Sequence, residues 1–249
     1  MKRTRTALAV PVLTLVSALA LGACGGSGSD SDSGSSGDSK GKPDASAAPE
    51  KTSDPAAELK SAVLSKSEVK GFTVREPQEK YVFATSQDNV KLDKAVCAPI
   101  AYATNQLPLG SPKADLTRVA AGAKGPGVFT YVTLSAYERG EAKATLAELS
   151  KAIGSCGNGF TAKAGRTTSP YSSVTAETAP TPKGADESVA FNVTTKFENV
   201  THTLRARTVR YGDTLALYYA VDAMAFTQAR PGNPEIATAV MDAQNAKLV

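Results

Sequence analysis

Tryptophan is absent from the chain, histidine occurs once, at His202, and cysteine three times, at Cys24, Cys97 and Cys156. One histidine cannot supply the repeated imidazoles of most transition-metal centres. Any Ser-His-Asp chemistry would have to run through it, because a general base near neutral pH is most often histidine. Aromatic residues are only 6% of the sequence, so a core must be built mainly from small aliphatic side chains. No H-E-x-x-H, P-loop or G-x-G-x-x-G motif occurs, which removes the common signatures of zinc proteolysis and of nucleotide or dinucleotide binding. Neither a cofactor nor a metal is expected. A strong excess of one charge is missing too. The formal charge is +4, and Lys2, Arg3 and Arg5 supply three of those positives before any acid appears, leaving the rest at +1. Nothing in that balance calls for a nucleic-acid partner.

A hydrophobic run long enough to span a bilayer is also missing. The longest apolar stretch, Ala7 to Ala20, carries Pro11 and is shorter than the roughly 20 residues a spanning helix needs. A basic start, a short apolar stretch and small residues before Cys24 form the layout of a secretory signal. Leu21-Gly22-Ala23-Cys24 resembles the lipobox of bacterial lipoproteins. That resemblance implies cleavage before Cys24 and a diacylglyceryl group on its sulfur, so the expected partner is the outer face of a cell membrane. Each buried methylene adds about 0.8 kcal/mol, and two or three acyl chains anchor stably where one does not.

Three segments are expected: a signal over residues 1–23, a linker over 24–53 and one domain over 54–249. The linker is Gly, Ser, Asp, Lys and Pro with scarcely an apolar residue larger than alanine. It cannot bury enough surface to offset its ordering entropy. As a coil of some 30 residues it spans roughly 30 Å, and up to about 100 Å stretched.

With Cys24 assigned to the anchor, Cys97 and Cys156 remain, and an even count in an oxidising compartment predicts a disulfide between them. Asp54-Pro55 reads as an N-cap followed by proline at the first helical position. Short strands follow at Phe72 to Arg75 and at Tyr81 to Ala84. A helix is predicted over Leu92 to Asn105, with Val96, Cys97, Ile100, Ala101 and Thr104 on its inner face. Leu116 to Ala123 and Val128 to Tyr137 read as a strand pair, the second apolar on both sides and so covered on both. Gly140 to Ile153 is an amphipathic helix with Gly154 as its stop. Short β-pieces at Phe160 to Ala164 and Ser172 to Glu177 lead into three longer strands: Ser188 to Phe197, Val200 to Tyr211 and Thr214 to Asp222. Glu198-Asn199 and Gly212-Asp213 read as two-residue hairpin turns, making an antiparallel meander. Asn233-Pro234-Glu235 repeats the N-cap signature and predicts a last helix through to Leu248. The fold class expected is α+β: an antiparallel sheet with a C-terminal meander, packed by three or four helices.

Few residues stand out chemically. Ser67-Glu68-Val69-Lys70 fits S-x-x-K without its S-D-N and K-T-G companions and reads as a solvated turn. His202 lies in phase with Leu204 and Ala206 inside a strand, as a structural histidine would. Arg205 and Arg207 share the opposite face with Thr201 and Thr203. They are the candidate contacts for an anionic group through charge-assisted bonds, on a face expected to be solvated, so that replacing both would leave stability nearly unchanged.

The lipobox, the Gly/Ser/Asp stalk, the Lys70-Gly71-Phe72-Thr73-Val74 entry, the paired cysteines and the closing stretch from Asn233 to Leu248 together resemble an actinobacterial surface lipoprotein. From Asp54 onward the layout is similar to lipoproteins with a PknH-type extracellular sensor domain, and more distantly to the Mog1/PsbP-like fold. That resemblance implies a central antiparallel sheet, a cleft and a sensing or binding role without catalysis. Many such domains hold two disulfides, whereas this chain can form one. Three readings follow. The first is a non-catalytic module binding a small-molecule, lipid or cell-envelope ligand. The second is a carrier of a lipid or other apolar molecule, marked by a large dry cavity. The third is a cell-envelope hydrolase, which needs convergent Asp, Glu or His in a cleft.

Overall fold

The computed structural model describes residues 54–78, 83–122 and 127–249. The expected signal, Cys24 and linker lie outside the described residues, as do Tyr81 and Val82 of one expected strand and most of the expected Lys124 to Gly127 turn. Among the described residues nine strands form one sheet: β1 (Phe72–Arg75), β2 (Val90–Leu92), β3 (Ala114–Gly122), β4 (Val128–Ala136), β5 (Phe160–Ala164), β6 (Thr167–Glu177), β7 (Glu187–Phe197), β8 (Val200–Tyr211) and β9 (Thr214–Asp222). Their order is β1-β3-β4-β9-β8-β7-β6-β5-β2, and every neighbouring pair is antiparallel. Among the described residues five α-helices accompany them: α1 (Pro55–Ala62), α2 (Ala98–Ala103), α3 (Glu141–Ser155), α4 (Ala223–Thr227) and α5 (Thr238–Asn245). The α+β class and the C-terminal meander are as the sequence predicts, with one helix more than expected.

Each face of the sheet carries a core, as the two-sided apolar pattern of β4 requires. On β9, Leu215, Leu217 and Tyr219 join one core with the buried residues of α2 and α3. Ala216 and Tyr218, one step out of phase, join a second core with Leu59 of α1 and Val240 of α5. The period of two along a strand thus feeds two cores from one sequence. In α3, Ala142, Leu146, Leu149, Ala152 and Ile153 are buried. Each of its two fully enclosed leucines contributes about 1.5–3 kcal/mol.

Asp54 caps α1 as predicted, its Oδ1 accepting from the Ala56 N–H at 3.0 Å. The buried Gln244 side chain of α5 clamps the residues after α1. It accepts from the Leu64 N–H at 3.0 Å and donates to the Ala62 carbonyl at 2.9 Å. Cys97 and Cys156 are joined in a disulfide across 59 residues, tying the start of α2 to the end of α3, and both are buried.

Four expectations change. The helix predicted from Leu92 begins at Ala98, after a 3-10 turn over Ala95–Cys97. The residues before it are held to β5: the Asp93 carboxylate accepts from the Thr161 N–H at 2.8 Å, and Lys94 Nζ donates to the Gly159 carbonyl at 2.6 Å. Val96 is therefore exposed, while Cys97, Ile100, Ala101 and Thr104 face inward. Phe83 and Ala84 lie in no strand and pack instead with Leu107 and Ala164. Gly154 does not stop α3, which runs on to Ser155. The last helix starts at Thr238 rather than after Asn233. Arg205 holds the Pro234 carbonyl and the Glu235 carboxylate, and the Ala237 N–H donates to Thr130 Oγ1 at 3.1 Å, so residues 234–237 stay outside the helix.

Candidate functional site

The α2–α3 side of the sheet is only partly covered. Arg75, Val119, Tyr131 and Tyr219 are in register across β1, β3, β4 and β9, and Phe129 pairs with Val221 on the next inward-facing row. Beyond these rows the face is walled by the end of α2 and by α4. The result is a cleft of about 680 Å³ whose described lining includes Phe83, Phe129, Tyr131, Val221, Met224 and Phe226. That volume lies in the 300–1,000 Å³ range of small-molecule sites, and a mostly apolar lining with a few polar groups is their usual chemistry.

The α4 wall forms because β9 leaves the sheet at Asp222. The Asp222 Oδ1 accepts from the Ala225 N–H at 2.9 Å, capping the helix, and its other oxygen lies 3.0 Å from Arg230 Nη2. The chain then returns beside β8, with the Thr203 N–H donating to the Gly232 carbonyl at 2.8 Å. Sequence reasoning missed α4. An aspartate before Ala-Met-Ala-Phe is an N-cap signal, but one helical turn is too short to show a period.

The opposite wall is the end of α2. Asn105 donates to the Tyr171 hydroxyl at 2.9 Å and to the Ala101 carbonyl at 2.6 Å, which commits its amide to the fold. Gln106 follows with φ +62°, a left-handed conformation uncommon outside glycine and asparagine, and it also lines the cleft. Tyr131 and Tyr219 stack with ring centroids 5.6 Å apart. Burial raises the Tyr131 pKa, while the Arg75 charge and the Gln106 amide pull it back. Burial holds Tyr219 well above the ordinary tyrosine range, so both phenols are neutral donors at physiological pH.

His202 does not reach the cleft surface. It is fully buried and stacks on Phe226, with neither ring nitrogen hydrogen-bonded among the described residues. Burial lowers its pKa, partly offset by the Asp222 charge. Arg205 and Arg207 lie on the other face of the sheet. That face is not solvated as expected: Arg205 is gripped by Glu177 and Glu235, and Arg207 is 8% exposed and bonded to the Pro180 carbonyl. Ser67 and Lys70 are exposed, and Glu68 between them pairs with Lys247 at 2.8 Å. Among the described residues no cluster of His, Cys, Asp and Glu could hold a metal ion.

No protein-family model matches the chain, and no curated protein matches its sequence. Among solved structures, an uncharacterised protein from Mycobacterium smegmatis is similar at 14% identity and a TM-score of 0.35, over 77% of this chain and 94% of that one. The extracellular domain of PknH from Mycobacterium tuberculosis is similar at 12% identity and a TM-score of 0.50, over 79% of this chain and 96% of that one. The chain shares the fold of the PknH-type extracellular domain.

Proposed function

We propose that residues 54–249 form a non-catalytic ligand-binding module on the outer face of a cell membrane, tethered through lipid on Cys24. The observation that carries this reading is the cleft between the sheet and α4. Its size and apolar lining suit a small molecule. Support for the location comes from the lipobox, from a buried disulfide of the kind exported proteins keep, and from the extracellular setting named for the PknH domain. The carrier reading draws on the same apolar lining, with the occupant as cargo. A hydrolase would need Asp, Glu or His in the cleft, and the ionisable side chains of its described lining are Arg75, Tyr131 and Tyr219. On the far face, Arg205 is a secondary candidate for an anionic partner, which would compete with Glu235, the exposed one of its two carboxylate partners.

Two measurements test the proposal. Cells fed labelled palmitate should label the chain, and Cys24→Ala should lose the label; label retained in the variant refutes the tether. Ala223→Trp, which fills the cleft from its α4 wall, should abolish uptake of a fluorescent apolar probe while the melting temperature holds. Undiminished uptake refutes the cleft as the site.

A further inference from the structure

The longer polar side chains of this cleft gather toward one end, around a register row that also holds Val119. Arg75, Tyr131 and Tyr219 occupy one register row. Two strand spacings separate β1 from β4, about 10 Å, a distance that a guanidinium on a long side chain covers in part. Gln106, just past the end of α2, lines the same cleft, and its amide and the Arg75 charge both lower the Tyr131 pKa. Among the described residues no carboxylate pairs with Arg75, as with Arg139, Arg166 and Arg207, but of these four only Arg75 lines the cleft. Gln106 adds a second sign of purpose. Glycine or asparagine usually takes the left-handed position after a helix, yet here a longer amide is held there at the lip. In the other direction the lining turns apolar: Phe129 and Val221 on the sheet, then Ala223, Met224 and Phe226 on α4.

We infer that the cleft takes an amphipathic anion, with a carboxylate or phosphate head at Arg75 and Gln106 and an apolar tail laid toward α4. This rests on the cleft being the ligand site. A guanidinium offers two parallel N–H groups to an oxyanion, and a neutral phenol and an amide complete a donor set with no carboxylate in the described lining. The tail end offers no donor in a good position to hold a second polar group, because Thr227 Oγ1 is spent on the Met224 carbonyl at 3.1 Å. Selectivity therefore sits at the head, and affinity in the tail.

The test uses the full chain carrying Cys24→Ala, which cannot be acylated, and three probes with the same carbon count: dodecanoate, dodecyl phosphate and dodecanol. Calorimetric titration should give at least one anion about tenfold tighter binding than the alcohol, the value expected of a charge-assisted bond at a partly exposed site. Arg75→Gln should bring that anion down to the level of dodecanol. Gln106→Gly, which keeps the left-handed backbone, should weaken the anion and leave dodecanol unchanged. Which anion wins identifies the head group. Equal binding of all three, or an anion preference that survives Arg75→Gln, overturns the inference and leaves the cleft as the site. Binding of none overturns the inference and the proposed function together.

Discussion

His202 and Phe226 stack nearly face to face, their ring centroids 3.9 Å apart and their planes 10° from parallel. Phe226 lines the cleft, so the one histidine supports the α4 wall from behind. The charged groups nearest it are Asp222 on β9, which raises its pKa, and Arg230, which engages that carboxylate. Burial wins, and the folded pKa falls below the ordinary 6.5. Above that pH the ring is neutral in both states and its contribution to stability is complete. As pH falls through 6.5 the unfolded chain takes up a proton that the folded chain refuses, and stability is lost until the lower folded pKa is passed. The melting temperature should therefore drop as pH falls through the ordinary histidine value of 6.5. His202→Leu, which also removes two unpartnered nitrogens, should flatten that part of the profile. An unchanged slope in the variant would show that other groups carry it.

Gly127 opens β4 with φ +107°, and a Cβ there would fall onto Cβ and Cγ of Met224. Its carbonyl also accepts from the Ala223 N–H at 2.7 Å. This close approach seats α4 at the mouth of the cleft. Gly127→Ala should cost about 1–3 kcal/mol through backbone strain and displacement of Met224, and it should weaken apolar-probe uptake. Gly71 is the control, since it has positive φ but open space around its would-be Cβ. Gly71→Ala should lower the melting temperature alone. Equal effects of both variants on uptake would contradict this account.

The disulfide closes a loop of 59 residues that contains α2, the β3–β4 hairpin and α3. Cys97→Ala with Cys156→Ala should cost about 2–4 kcal/mol in denaturant titration, mostly by freeing the unfolded chain. A midpoint that reductant does not move would count against the bridge.

Arg205 and Arg207 should behave differently although they share a face. Arg205→Ala leaves Glu177, 28% exposed at its side chain, with only the Asn192 amide as its donor among the described residues, and frees the Pro234 carbonyl. It should cost about 1–3 kcal/mol and loosen the start of α5. Arg207 has a buried Nε without a partner among the described residues, and burial lowers its pKa. Arg207→Met keeps most of the volume and removes a buried charge, so stability should hold or rise. A larger loss at Arg207 than at Arg205 in urea unfolding would reverse this assignment.

The strands that alternate strongly and are closed by tight turns were legible in the sequence. Glu198 and Asn199 both take positive φ, as a two-residue turn between β7 and β8 requires, and the whole meander follows from that punctuation. What local pattern could not show was partner choice. Asn233-Pro234 has every mark of a helix start, but Arg205, some 30 residues upstream, claims its backbone, and a long-range bond overrides a local cap. The paired cysteines were legible from count and compartment alone. The cleft was not, since Arg75, Gln106, Tyr131 and Met224 share no motif and meet only because β1, β3, β4 and β9 are consecutive in the sheet, β9 being fourth from the β1 edge.

That strand order sets a timetable for synthesis. β1 and β2 come first off the ribosome and lie at opposite edges of the sheet, whereas β9, the partner of β4, comes last. The N-terminal half can make its β3–β4 hairpin but has no centre to dock against until the meander emerges. Contacts of such long sequence separation form slowly and leave strand edges bare while they wait. A chain threaded through a membrane would meet this delay on the far side, where escorts that shield unpaired strands matter most in the interval before β9 clears the channel.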